Sequence, residues 1–309
     1  MQVLPSDAGA DARVVDDAHV SRCTPGGEPI RLTTSGAWAL ALDVDSVYFT
    51  RGGTPRGGAA RVAKNGGAEL ELLGAGTAWG VAVDGQRVYV SHTALGTIEA
   101  AGIAGGALTT LASMQVAPRG IATDQDWVYW GGDDETVRRA SKDGKSVELL
   151  ATGAGKALSI VVAFNRVNWA AGSSGALSMP LTGGVPGSLA PLDSDLGFVW
   201  DISLEGTQLY VAAQGKAKGH IVEILHGGGP SRHLVDGLTY PVAVAADEDF
   251  AYFVDRVDRT VSKVPKRGGG PAITLARMPG LPWDIAVDES CLYVTVDDPN
   301  GAVYRLPKN

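Results

Sequence analysis

The chain is built from a unit of about forty residues copied end to end, which admits only architectures that stack or close one supersecondary unit on itself. Trp79-Gly-Val-Ala-Val-Asp84 returns as Trp283-Asp-Ile-Ala-Val-Asp288, and Val47-Tyr48-Phe49 returns as Val128-Tyr129-Trp130. Aligned on the residue that ends the first apolar run, seven copies carry Asp43, Asp84, Asp124, Ala163, Glu205, Asp247 and Asp288, at spacings of 41, 40, 39, 42, 42 and 41 residues. Five residues after these anchors come Tyr48, Tyr89, Tyr129, Asn168, Tyr210, Tyr252 and Tyr293.

Each unit holds two short apolar runs joined by a polar turn, a third run ending at a glycine-rich turn, and a fourth such as Leu70 to Leu73 or Val147 to Leu150. Four strands in one such unit is the spacing of a propeller blade, whereas a helical repeat of that length places apolar residues three and four apart. The turn before the fourth strand reads Gly66-Gly67, Gly105-Gly106, Gly183-Gly184, Gly228-Gly229 and Gly269-Gly270, with a single Gly144 in the third unit. These glycines supply the positive φ of a hairpin turn. Residues 26 to 32 match a turn and fourth strand with no earlier strands ahead of them, and the last unit stops at Lys308-Asn309, before a fourth strand of its own. The expected fold is all-β: a seven-bladed β-propeller of four-stranded blades, its ring closed by an N-terminal outer strand at 28 to 32 pairing with residues 302 to 306.

Size agrees with one closed ring, because 309 residues exceed an ordinary single-core domain. A net charge of -8, with no dense Lys/Arg run to offset it, opposes capture of a polyanion and excludes nucleic acid as a partner class. No apolar run reaches the roughly eighteen residues of a membrane helix, so no membrane span is expected. Residues 1 to 22, with Asp7-Ala8-Gly9-Ala10-Asp11-Ala12 and Asp16-Asp17, are acidic, small and aperiodic, and read as a flexible tether ahead of a domain over 23 to 309. Such a tether fits a chain exported after loss of a signal or lipid anchor, so the expected location is extracytoplasmic: periplasmic, surface-anchored or secreted. A cytoplasmic protein with an irregular start is the alternative. Cys23 and Cys291 fall on one rim of the last blade and are expected to form a disulfide, the alternative being two unpaired thiols. A monomer is expected.

The units Val128-Tyr129-Trp130, Ala251-Tyr252-Phe253-Val254-Asp255 and Val167-Asn168-Trp169 resemble degenerate copies of the Tyr-Trp-Thr-Asp repeat of the low-density-lipoprotein-receptor propellers. Over residues 26 to 309 the unit is similar to repeats of bacterial extracytoplasmic propellers. The resemblance implies the fold and no activity, since such propellers include ligand receptors, lyases, lactonases and scaffolds. The receptor repeats usually make six blades, where this chain has seven units. In outline the chain is also similar to the seven-bladed streptogramin lyase family. That family's catalytic His and Glu pattern finds no residue-by-residue match, so none of its active-site residues is carried over.

In a propeller the chain enters each blade at the central channel, and the loops joining second to third strands share that face, the top. These loops vary in length and charge on a constant frame, which is where binding is usually placed. Five residues before the anchors stand Trp38, Trp79, Arg119, Leu158, Trp200, Val242 and Trp283, so four of the seven tryptophans occupy one repeat position at the channel mouth. Read functionally they are an aromatic collar, with Arg119 and Tyr240 beside it, offering flat faces to a small molecule, glycan or peptide. Read structurally each Trp packs between blades, because it alternates with Leu40, Val81, Ile202 and Ile285 on one strand face.

One position further, among small residues, stand Asp201 and Asp284, candidate hard ligands for a divalent cation in the channel. Two carboxylates fall short of a full oxygen shell, so no cofactor is expected by default. His220 or His92 with Asp133, Asp255 or Asp297 would make an acid-base pair, solvated surface residues being the plainer account. The anchor aspartates have a turn role, accepting backbone N–H groups. The expected function is a non-catalytic binding or scaffold propeller with its ligand at the top-face channel mouth. The alternative is a metal- or His/Asp-dependent hydrolase or lyase that uses Asp201, Asp284 and His220 in the channel.

Overall fold

A computed structural model describes residues 23–51, 57–74, 76–190, 196–226, 228–267, 270–297 and 301–309. The proposed tether, 1 to 22, and Gly269 of the fifth Gly-Gly pair lie outside the described residues. The strands form seven four-stranded antiparallel sheets, and no helix occurs among the described residues. Six sheets keep chain order from the axis outward, as in blade 1 with Leu40–Leu42, Ser46–Arg51, Gly58–Ala63 and Leu70–Leu73. The seventh runs Leu281–Val287, Cys291–Asp297 and Ala302–Pro307, and its outermost strand is Ile30–Arg31. Ile30 stands opposite Arg305 and Arg31 opposite Tyr304, and Leu32 N donates to Val303 O at 2.8 Å. The fold is therefore the seven-bladed β-propeller, closed end to end as the repeat implies. A Cys23–Cys291 disulfide, Cα atoms 5.5 Å apart, ties the entry to the closing strand onto the second strand of the same blade.

The ring's cohesion follows from the burial gradient within each blade. Second strands such as Ser46–Arg51 are buried at every position and carry the continuous β-branched and aromatic runs of a strand covered on both faces. Outer strands such as Val147–Ala151 are exposed at alternate positions. Seven apolar clusters result, each spanning two neighbouring blades, including one between blades 7 and 1 that joins Val47 and Phe49 to Tyr293 and Val303.

The two repeat columns prove to be partners. Tyr48, Tyr89, Tyr129, Tyr252 and Tyr293 each donate their hydroxyl to the anchor carboxylate of their own blade, at 2.6, 2.7, 2.7, 2.8 and 3.0 Å. The other anchor oxygen accepts two turn N–H groups, as Asp84 does from Gln86 and Arg87. Lysines from the next blade complete the device: Lys142 meets Asp84 at 2.7 Å, Lys64 meets Asp288 at 3.0 Å, and Lys308 meets Asp247 at 2.6 Å. Blade 4 lacks the anchor and turns instead through Phe164 and Asn165, both at positive φ. In blade 5 Tyr210 donates to Glu223 on the neighbouring strand at 3.1 Å.

Candidate functional site

The inner strands of blades 2, 5, 6 and 7 slip register at the same place. Pairing shifts between Ala78 and Val81, Val199 and Asp201, Pro241 and Ala243, and Pro282 and Ile285. The residues released from strict alternation include Trp79, Trp200, Val242 and Trp283, and a bulge re-aims the side chain it carries. Three of the four tryptophans owe their direction to this shared irregularity.

Trp38, Trp79 and Trp283 form a triangle with ring centroids 5.9, 5.9 and 6.3 Å apart, and Trp200 joins it 6.0 Å from Trp283. Rings at these separations touch, mostly edge to face. The indoles of blades 1, 2, 5 and 7 thus meet across the axis as a cap, where spacing alone suggested separate rings around an open mouth or packed between blades. Trp79 Nε1 reaches Leu158 O of blade 4 at 3.3 Å. Phe198 and Tyr240 extend the cap from Trp200, at 4.5 and 5.7 Å. All four tryptophans are half-buried, so part of the layer stays exposed.

Two guanidinium groups lie over the cap. Arg119 sits 4.4 Å from the Trp79 centroid and Arg256 sits 4.6 Å from that of Trp283. Asp133 grips Arg119 through both oxygens, at 2.5 and 3.0 Å, and that hydrogen-bonded guanidinium holds the Asp133 carboxyl below its usual range. Arg256 Nη2 donates to Asp297 at 2.9 Å, but its Nη1 is buried without a hydrogen-bond partner, and so is Trp200 Nε1. A buried donor left unpaired costs about 1–3 kcal/mol. Arg119, Trp38, Trp79, Trp200, Trp283 and Tyr240 therefore lie in one contiguous cluster, and Arg256 belongs with them. Arg256 lies in a second-to-third-strand loop of the top face that carries no repeated signal, so the sequence did not single it out.

Beneath the cap lies a channel cavity of about 440 Å³, with Trp79, Trp200 and Trp283 at one end and Glu205, Ala246 and Val287 at the far ends of the inner strands. Asp201 and Asp284 both line it. Each reaches the inner strand of the next blade, Asp201 accepting Val244 N at 2.9 Å and Asp284 accepting Leu40 N at 2.7 Å. Both residues are half-buried, and protein surrounds their carboxylates deep in the ring. Burial pushes the Asp201 carboxyl up, and burial together with the Asp201 charge raises Asp284 to about 8. A related link uses hydroxyls. Thr50 accepts Ala39 N and donates to Trp79 O of the next blade, and Ser91 and Thr295 repeat this with Arg119 O and Trp38 O. These hydroxyls occupy one repeat position, seven after the anchor, which was the available signal for them.

The histidines do not form the candidate acid-base pairs with Asp133, Asp255 or Asp297, and the buried His92 is not the solvated surface residue that was the plainer account. His220 lies on the third strand of blade 5, Gly219–Leu225, opposite Ala213, and does not line the cavity of Asp201 and Asp284. Its Nδ1 is 2.7 Å from Asp236, which also takes His233 at 2.5 Å. His92 is wholly buried, 3.3 Å from Glu99, and that burial lowers the pKa of its ring. Among the candidate acids, Asp133 and Asp297 hold arginines, and Asp255 is occupied by the N–H groups of Thr239, Tyr240, Val257 and Asp258.

Solved structures match this ring closely in outline. Virginiamycin B lyase from Staphylococcus aureus superposes over 91% of this chain and 99% of its own, with a TM-score of 0.73 at 13% identity. A streptogramin B lyase structure covers 90% of this chain and 96% of its own, with a TM-score of 0.74 at 14% identity. The computationally designed Ika8 protein covers 90% of this chain and 99% of its own, with a TM-score of 0.64 at 14% identity. The likeness is one of fold. No protein-family model matches the sequence, and no curated protein does.

Proposed function

We propose that this protein is a non-catalytic binding propeller, and that its ligand, a small molecule, glycan or peptide, docks on the exposed side of the tryptophan cap. The reading is carried by two buried donors without partners, Trp200 Nε1 on a ring packed against Trp283 and Arg256 Nη1 on the guanidinium that lies over Trp283. Flat apolar rings beside unpaired N–H groups suit a ligand with an apolar face and an oxygen acceptor at its edge. The closed cap favours docking on the layer over threading into the channel. The Cys23–Cys291 bond and the absence of a membrane-length helix among the described residues are compatible with an extracytoplasmic location, which we adopt as part of the proposal.

Intrinsic tryptophan fluorescence titrated against a glycan and peptide panel tests this directly. A saturable change is expected for at least one member, weakened about tenfold by Trp200→Phe, which keeps a ring and removes the donor. Emission that stays constant across the panel would sink the proposal.

One observation favours a second reading, chemistry in the channel: Asp284, raised to about 8, lines a cavity together with Asp201. A carboxyl with that pKa holds or releases a proton near neutrality. In this reading the pair, with or without a divalent cation, acts as the acid-base centre of a hydrolase or lyase. A turnover assay that loses its signal in Asp284→Asn, with the circular dichroism of the folded parent retained, would favour it.

A further inference from the structure

The strongest grouping of chemistry outside the cap and channel lies on the outer half of blade 5. The third strand, Gly219–Leu225, pairs with the fourth, Ser231–Leu238, through two register shifts, between Gly219 and Ile221 and between Ile221 and Val222. His233 stands opposite Val222, two residues from His220 and on the same strand face. The first shift leaves Asp236 and Gly237 opposite His220, with Gly237 at φ 81°, a conformation that lets the strand bend there. The outcome is convergence. His220 Nδ1 and His233 Nδ1 both aim at Asp236 Oδ1, at 2.7 and 2.5 Å, with the two rings 4.9 Å apart.

We propose that His220, His233 and Asp236 form a binding site for a borderline transition-metal dication, Zn²⁺ in the first instance. Among the described residues this is the one group of three or more His, Cys, Asp or Glu side chains whose donor atoms lie within 4.8 Å of one another. Two imidazoles and one carboxylate suit Zn²⁺, Cu²⁺ or Ni²⁺, whereas Ca²⁺ and Mg²⁺ require more oxygen ligands. Donors about 2 Å from a tetrahedral ion stand roughly 3.3 Å apart, so the present contacts open by about 0.6–0.8 Å when the ion replaces the shared protons. Side-chain rotation supplies that movement, and both strands stay paired. The side chain of Asp236 is 64% exposed and that of His233 30%, which leaves the fourth position to solvent. Because the ligands come from a paired β-ribbon, the site exists in the folded protein and not in the unfolded chain.

Isothermal titration of tag-free protein with Zn²⁺ tests the proposal. One equivalent is expected to bind with micromolar or tighter affinity, and Co²⁺ is expected to give a saturable visible spectrum. His233→Ala and Asp236→Asn, both at exposed positions, are expected to weaken binding by about tenfold or more while the circular dichroism stays that of the parent. His226→Ala, in a ring stacked on Phe164 and outside the cluster, is expected to leave the affinity unchanged. Absence of saturable binding, equal affinity in the His233→Ala and parent proteins, or dependence on His226 would each overturn it.

Discussion

Asp84 and Asp284 show the same side chain driven in opposite directions by its surroundings. Burial raises the pKa of Asp84, but Lys142, Tyr89 and two backbone N–H groups pull harder and leave it well below the ordinary range. Asp284 has burial and a neighbouring carboxylate against it and rises from 3.8 to about 8. The signs for stability follow. The folded state keeps the Asp284 proton that the unfolded chain has already released, so this site subtracts stability as pH rises from 3.8 to about 8. Asp84 does the reverse, its contribution being lost as the medium becomes acidic. Urea unfolding of Asp284→Asn is expected to show a gain over the parent at pH 8 that shrinks as the titration is repeated towards pH 4. A gain independent of pH would contradict the assignment. Tyr129→Phe leaves an Asp124 oxygen without its donor and is expected to cost about 1–3 kcal/mol in the same assay. The Asp and Tyr columns were both plain in the sequence, but their partnership was not, because a spacing of five says nothing about contact across a turn.

At the level of elements, the inner strands do two jobs. Their bulges swing Trp79, Trp200 and Trp283 onto the axis, and their backbone N–H and C=O groups receive links from adjacent blades. Thr50 illustrates the second job, bridging Ala39 N at 3.0 Å and Trp79 O at 3.1 Å. Thr50→Val keeps the shape and removes both bonds, so a loss of about 1–3 kcal/mol is expected, read from the midpoint of denaturant unfolding. Because Trp79 is the residue released, its emission should also shift in the native state. Strand existence was legible from alternation and turn residues. The bulges were not, since an extra residue in one strand is invisible until its partner strand is known.

For the molecule as a whole, closure is the decisive event. Ile30–Arg31 completes a sheet whose other three strands lie about two hundred and fifty residues or more away, and the disulfide fixes that meeting across a sequence separation of 268. Replacing both Cys23 and Cys291 by Ser is expected to lower the melting temperature, with roughly 5 kcal/mol as the entropic ceiling for a loop that long. Equal melting temperatures for parent and double variant would show that pairing of the terminal strands suffices by itself. Selective protection of blades 2 to 6 in hydrogen exchange of the double variant would place the opening at the seam.

The repeat, with its seven anchors and its split last unit, determined blade number, strand count and the mode of closure, because period and alternation are local properties carried by consecutive residues. It also brought out the tryptophan column and the two aspartates as positions. Tertiary structure alone decided that the indoles touch as a cap, that Arg256 joins Arg119 above them, and that His220 turns to His233 and Asp236 instead of the channel. Those outcomes depend on ring curvature and on register shifts between strands, and neither is encoded in the spacing of residues along one chain.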